Sequence, residues 1–156
     1  YKIKISDKIR ISPFISYTYS NHKFVDFIDD EANEDYSGNA LTGVPKYKIN
    51  SGIQTNFGNG LFANITHQFI DEIPLTDANS LYSDSFNILN LKLGYKNQIS
   101  EKFRVGLEFG INNLTNTKYA QSVLINASGF GGNAPRYFYP GNNLNYYGGV
   151  KLTHTL

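Results

Sequence analysis

The stretch Phe103-Arg-Val-Gly-Leu-Glu-Phe-Gly-Ile-Asn112 carries a large apolar side chain at every odd position through Ile111 and Arg, Gly, Glu, Gly or Asn at every even one. A repeat of two is the signature of a β-strand, whose successive side chains point to opposite faces, and it is incompatible with the 3.6-residue period of a helix. Strands in water-soluble sheets usually run about five or six residues. This one runs about ten, the length a tilted strand needs to cross a membrane, with its apolar face toward lipid and its polar face toward a lumen.

Working outward, the same pattern recurs. Residues 88–97 set Leu89, Leu91, Leu93 and Tyr95 against Asn90, Lys92, Gly94 and Lys96, and 145–154 set Tyr146, Gly148, Val150 and Leu152 against Asn145, Tyr147, Gly149, Lys151 and Thr153. In 47–57, Tyr47, Ile49, Ile53 and Phe57 share a face diluted by Ser51 and Thr55. Over 9–27, Ile9, Ile11, Pro13, Ile15, Tyr17 and Tyr19 oppose Arg10, Ser12, Ser16, Thr18 and Ser20. Segment 61–70 is the least regular, because Phe62, His67 and Ile70 break its alternation; Ile3 and Ile5 form a stub of strand at the start. The polar set is rich in Gly, Asn, Ser and Lys. A packed core would have to satisfy each of those groups, whereas a wet lumen does so with water.

Composition agrees. Of 156 residues, 17% are charged and 15% aromatic, against roughly 25% charged in an ordinary soluble domain. Fourteen Lys and Arg against thirteen Asp and Glu leave a net charge of +1, which provides no nucleic-acid footprint. Absence of Cys removes disulfide frameworks, zinc knuckles and thiol nucleophiles. No apolar run approaches the roughly 18 residues of a membrane helix, and no cofactor motif is present; Gly129-Phe-Gly131 lacks the third glycine and the helix of a dinucleotide fingerprint.

Connections alternate between tight turns (6–8, 58–60, 98–101) and long polar loops (28–45, 71–86, 124–142), as in outer-membrane barrels with short periplasmic turns and long extracellular loops. Aromatics fall where interfacial girdles belong: Phe57, Tyr95 and Phe103 near the turns, Tyr17, Tyr19, Tyr47, Phe69 and Phe86 toward the loops. The resulting all-β fold is an antiparallel meander of about seven long transmembrane strands. A closed bacterial barrel has an even number, and lipid does not tolerate unpaired strand edges, so the expectation is a C-terminal fragment of a larger barrel.

A family resemblance rests on three ordered segments. Arg104-Val-Gly-Leu-Glu-Phe-Gly-Ile-Asn-Asn-Leu-Thr-Asn-Thr-Lys-Tyr119 resembles the penultimate strand of TonB-dependent outer-membrane receptors, with Asn113, Leu114, Asn116, Lys118 and Tyr119 carrying the likeness. Gly38-Asn-Ala-Leu-Thr-Gly-Val-Pro45 is similar to a Gly-x-x-Leu-x-x-x-Pro segment of that family, and Pro140-Gly-Asn-Asn-Leu-Asn-Tyr-Tyr-Gly-Gly-Val150 to its closing strand. One departure is the ending, Leu152-Thr-His-Thr-Leu156, where the family has an aromatic: either Leu156 substitutes or a residue or two is missing. The resemblance implies that residues 1–156 are the C-terminal portion of a 22-stranded receptor barrel without its N-terminal plug. It implies import of a scarce nutrient, foremost an iron chelate such as a siderophore. Outer-membrane lipid and lipopolysaccharide would surround the barrel, and TonB would act through the missing N-terminal part. The candidate ligand contacts are Arg136, able to pair with an anionic chelate, and Tyr137 and Tyr139, able to stack on it.

Three weaker signals complete the reading. Asp26, Asp29, Asp30, Glu31, Glu34 and Asp35 concentrate carboxylates in one loop without metal-loop spacing, and His22, His67 and His154 stand far apart, so no metal site is assigned. A barrel enzyme would need a nucleophile beside His22 or His67, and no such motif accompanies them. A soluble, lipocalin-like ligand binder would show the reverse sidedness, apolar inside and polar outside.

Overall fold

The computed structural model describes residues 2–155, so the expectation concerning Leu156 lies outside the described residues. The chain runs β1 (Ile3–Lys4), β2 (Ile9–Tyr19), β3 (Ile28–Asp29), β4 (Glu34–Asp35), β5 (Tyr47–Phe57), β6 (Leu61–Ile70), β7 (Ile73–Pro74), β8 (Tyr82–Ser83), β9 (Phe86–Gln98), β10 (Phe103–Asn112), β11 (Ala120–Val123), β12 (Phe138–Pro140) and β13 (Asn145–His154). Seven of these form one antiparallel sheet in the order β1-β2-β5-β6-β9-β10-β13, an uncrossed meander. The remaining six make three small hairpins within the long loops: β3 with β4, β7 with β8, β11 with β12.

Register carries the alternation of single strands across the whole sheet. Pro13 lies opposite Ile53, Ile53 opposite Ile65, Ile65 opposite Leu91, and Leu91 opposite Ile111. Ile111 in turn faces Tyr146, and Leu107 faces Val150. A slip of one residue anywhere would carry a strand's apolar set to the other side. Two faces result, one apolar and one lined by Gly, Asn, Ser, Lys and Arg.

The apolar face is uncovered. Ile15, Tyr146, Val150 and Leu152 are 75%, 63%, 78% and 64% exposed, whereas the buried apolar residues are Ile70, Leu75, Phe86 and Ile88 alone among those described. A compact soluble monomer of this mass exposes about 7,900 Å²; the chain exposes 11218 Å². A contiguous apolar patch far above a few hundred Å² needs a non-aqueous neighbour.

Strand edges are handled by sequence. The Ser20 N–H donates to the Lys46 carbonyl at 2.9 Å, which fixes even-numbered residues of β2 as those bonded toward β5 and odd-numbered ones as facing β1. Pro13, without an N–H, therefore costs β2 no ladder bond toward β5. At the turn after β5, Gly60 has φ +91°, and a Cβ there would come 2.3 Å from the Lys96 carbonyl oxygen, so only glycine fits.

Of the aromatics on the polar face, three each cover a cross-strand glycine: Phe14 over Gly52, Phe62 over Gly94 and Tyr147 over Gly110. This accounts for Phe62 as a break in alternation. Two expectations need correction. The run expected over 9–27 leaves the sheet after Tyr19, where the chain turns into the first long loop. Phe86, expected in the outer aromatic girdle, has the parity of Ile88 and turns to the polar face, where it packs with Ile70, Ile88, Ile73 and Tyr119. Tyr17, Tyr19 and Tyr47 do cluster on the apolar face, with ring centroids 6.3 and 5.4 Å from Tyr47.

Gly110→Val should expel the Tyr147 ring, since a Cβ would lie 2.1 Å from Cζ, and lower the unfolding free energy of the intact barrel by about 1–3 kcal/mol, read as a lower urea midpoint. Gly148→Val, where the nearest atom is 3.6 Å away, should leave the midpoint unchanged.

Candidate functional site

All the long connections, 20–46, 71–85 and 113–144, leave the same end of the sheet and are tied to one another there. The hub is Asp77. Its carboxylate accepts from the Thr42 hydroxyl and from Asn126 Nδ2 at 2.6 Å, its carbonyl accepts from Asn39 Nδ2 at 2.9 Å, and its N–H donates to Asn126 Oδ1 at 3.0 Å. Backbone bonds reinforce it, from Gly43 to the Pro74 carbonyl at 2.9 Å and from Asn126 to the Leu75 carbonyl at 2.8 Å. Leu75, 2% exposed, is buried beneath this junction. Asn79 and Asn126 adopt φ of 52° and 49°, the left-handed region that Asn tolerates better than most residues.

The segment Asn113 to Tyr119, singled out in the sequence, closes the outer end of β10. Asn113, 2% exposed with φ 52°, donates Nδ2 to the carbonyls of Thr117 and Asn142 at 2.8 and 3.0 Å and accepts from the Thr117 N–H at 2.9 Å. Asn116 accepts from the Leu144 N–H, and the Leu114 N–H donates to the Leu89 carbonyl. Tyr119 lies 4.9 Å from Phe86, ring to ring, and covers Gly141 so closely that a Cβ there would meet the ring at 2.1 Å. Lys118 is exposed. These contacts give the motif a structural role: it anchors the third loop to the sheet.

That third loop holds the proposed ligand contacts. Arg136 lines a hollow of about 820 Å³ with Leu124, Ile125, Phe130, Asn133 and Ala134. Tyr137 and Tyr139 do not line it; Tyr139 is 60% exposed on the β11–β12 hairpin, where it pairs with Ser122. Phe130, 91% exposed, stands in the hollow and was not singled out by sequence, although a lone Phe flanked by glycines in a polar loop is the available signal. Charge separates by loop: 20–46 and 71–85 carry ten carboxylates against Lys23 and Lys46, while 113–144 carries Lys118 and Arg136 and no carboxylate.

In the acidic loop the carboxylates serve the backbone. Asp29 accepts from the N–H groups of Glu31 and Ala32 at 3.0 and 3.1 Å, and Asp35 from that of Ser37 at 2.9 Å. Bonds from the Ser37 side chain and N–H hold the Asp35 carboxyl below its usual pKa, and Tyr36 is raised by desolvation and the charges of Asp29, Glu34 and Asp77. Among the described residues, no three His, Asp or Glu side chains gather closely enough to hold a cation. His67 lies on the apolar face, its Nε2 2.8 Å from Asn87 Oδ1 and its Nδ1 3.4 Å from Ser51 Oγ. Both ring nitrogens thus have a polar side-chain partner, and neither partner is a carboxylate.

Residues 5–114 match the family model described as TonB dependent receptor-like, beta-barrel. Among solved structures, the chain is similar to the siderophore receptor PiuA from Acinetobacter baumannii, at 18% identity and a TM-score of 0.69, over 97% of this chain and 20% of that one. At that identity the likeness shows the fold, including the strand and loops beyond residue 114. The chain spans about a fifth of the length of that structure.

Asn113→Ala removes three side-chain hydrogen bonds and should cost about 3 kcal/mol of barrel stability, read as a lowered denaturation midpoint. Asp77→Ala should instead leave the barrel midpoint in place and speed protease nicking within 20–46 and 113–144, because the loops lose their common tie.

Proposed function

We propose, for a chain that belongs to the TonB-dependent receptor-like β-barrel family, that it forms the C-terminal part of the wall of an outer-membrane importer of a scarce nutrient, foremost an iron chelate. The family is one of transport receptors rather than of enzymes. One observation carries the placement: a continuous, uncovered apolar face backed by a polar face across seven long strands. Set in a barrel, the apolar face meets outer-membrane lipid and lipopolysaccharide, the polar face lines the lumen, and the tied loops face outward. Energy from TonB enters through parts of the protein outside these residues.

Arg136 is the proposed anion contact, with Phe130 as the apolar wall beside it. The third loop suits this role because it is the long loop with cations and no carboxylate, whereas the other two repel anions. A ferric chelate with carboxylate or catecholate oxygens would meet a guanidinium fork there. Tyr137 and Tyr139 join the contact when the ligand reaches over the hairpin from the hollow.

Uptake of labelled ferric siderophores, haem, cobalamin and glycans by cells carrying the intact receptor identifies the ligand. The expected result is uptake of a ferric chelate, with affinity lowered about tenfold by Arg136→Gln, the loss of one charge-assisted contact. Unchanged affinity on replacing both Arg136 and Tyr137 would contradict the assignment.

A further inference from the structure

Charge on the polar face of the sheet is one-sided: Lys4, Arg10, Lys48, Lys92, Lys96, Arg104 and Lys151 against Glu108 alone among the described strand residues, although the whole chain is nearly neutral. Glu108 is already engaged, 2.7 Å from Lys92. Lys96, Arg104 and Lys151 have no carboxylate partner among the described residues.

These three surround one hollow of about 700 Å³ between β9, β10 and β13, toward the short-turn end, which Glu108, held by Lys92, also lines. Register places them together: Gly106 lies between Lys96 and Lys151 in one cross-strand row, and Arg104 is two residues along β10 on the same face. A Cβ at Gly106 would sit 3.6 Å from Lys151 Cβ and 3.9 Å from Lys96 Cγ, so the side chains flank a bare strip of backbone. Gly149 extends that strip beside Glu108. Lys96 is steadied by the Phe62 ring, 5.0 Å from its Nζ. Exposed cations gathered around one hollow sum to a local positive potential that attracts oxyanions more strongly than the same charges dispersed.

We propose that this hollow is a carboxylate-binding subsite of the inner wall, with Lys96 and Lys151 clamping from two sides and Arg104 offering its fork. The proposal rests on the reading of the polar face as a lumen wall. Two sources supply carboxylates there: acidic side chains of protein lying inside the barrel, or a dissolved polycarboxylate in passage.

The test uses the intact receptor in outer-membrane vesicles, with two arms. Carbodiimide coupling followed by mass spectrometry identifies any Asp or Glu joined directly to Lys96 or Lys151; citrate titration by calorimetry of the detergent-solubilised receptor reports dissolved carboxylate. Coupling to acidic residues of the receptor supports the subsite with a protein occupant. Saturable citrate binding, weakened at least about tenfold in a heat-modifiable Lys96→Gln/Lys151→Gln variant and by added salt, supports it with a dissolved one. No coupling and no citrate binding, with both lysines open to a water-soluble acylating reagent, overturns the subsite while leaving the lumen reading intact. Acylation only by a membrane-partitioning reagent overturns the lumen reading itself.

Discussion

The constraint on which the rest depends is that the backbone and the side chains of this sheet must be satisfied in different directions. The inner strands β5, β6, β9 and β10 spend their N–H and C=O groups laterally on neighbours at both sides, which leaves one face free to be apolar. That face has no core to enter, for the buried apolar set is a handful of residues at the loop end. A sheet of this kind is stable only where water is absent on one side and present on the other. Sidedness thus governs register, the placement of glycine and the distribution of charge.

The loop end shows how irregular chain is built onto such a wall. Ile70, Phe86, Ile88 and Tyr119 form a small apolar seat on the polar face, and Asn113 pins the third loop above it. Asp77 then joins all three loops, so they behave as one cap instead of three independent arms. Arg136 and Phe130 line a hollow shared with Leu124, Ile125 and Ala127, which flank Asn126 in sequence, so that hollow is built directly on the tie between loops.

Much of the wall was legible in the sequence, because a transmembrane strand writes its two environments into alternate positions. The bounds 47–57, 61–70, 103–112 and 145–154 coincide with β5, β6, β10 and β13. What escaped was set by partners distant in the chain. The hairpins inside the loops depend on pairings such as Val123 with Phe138, and the role of Asp77 depends on Thr42 and Asn126, 35 and 49 residues away. Phe86 sits at the height of the outer girdle but shares the parity of Ile88, and parity decides which face it takes. The breaks at Phe62 and Ile70 proved informative: one side chain covers Gly94 and the other enters the buried seat. The proposed ligand contacts are the least legible, since an exposed arginine in a glycine-rich loop reads alike whether it binds or is merely solvated.

Sidedness is open to direct measurement by nitroxide scanning of β10, one cysteine at a time from Phe103 to Asn112, in the intact barrel in lipid bilayers. The account predicts a repeat of two: collision with dissolved oxygen high at 103, 105, 107, 109 and 111, and collision with a water-soluble nickel chelate high at 104, 106, 108, 110 and 112. A uniform profile, or one with the two sets exchanged, would contradict it.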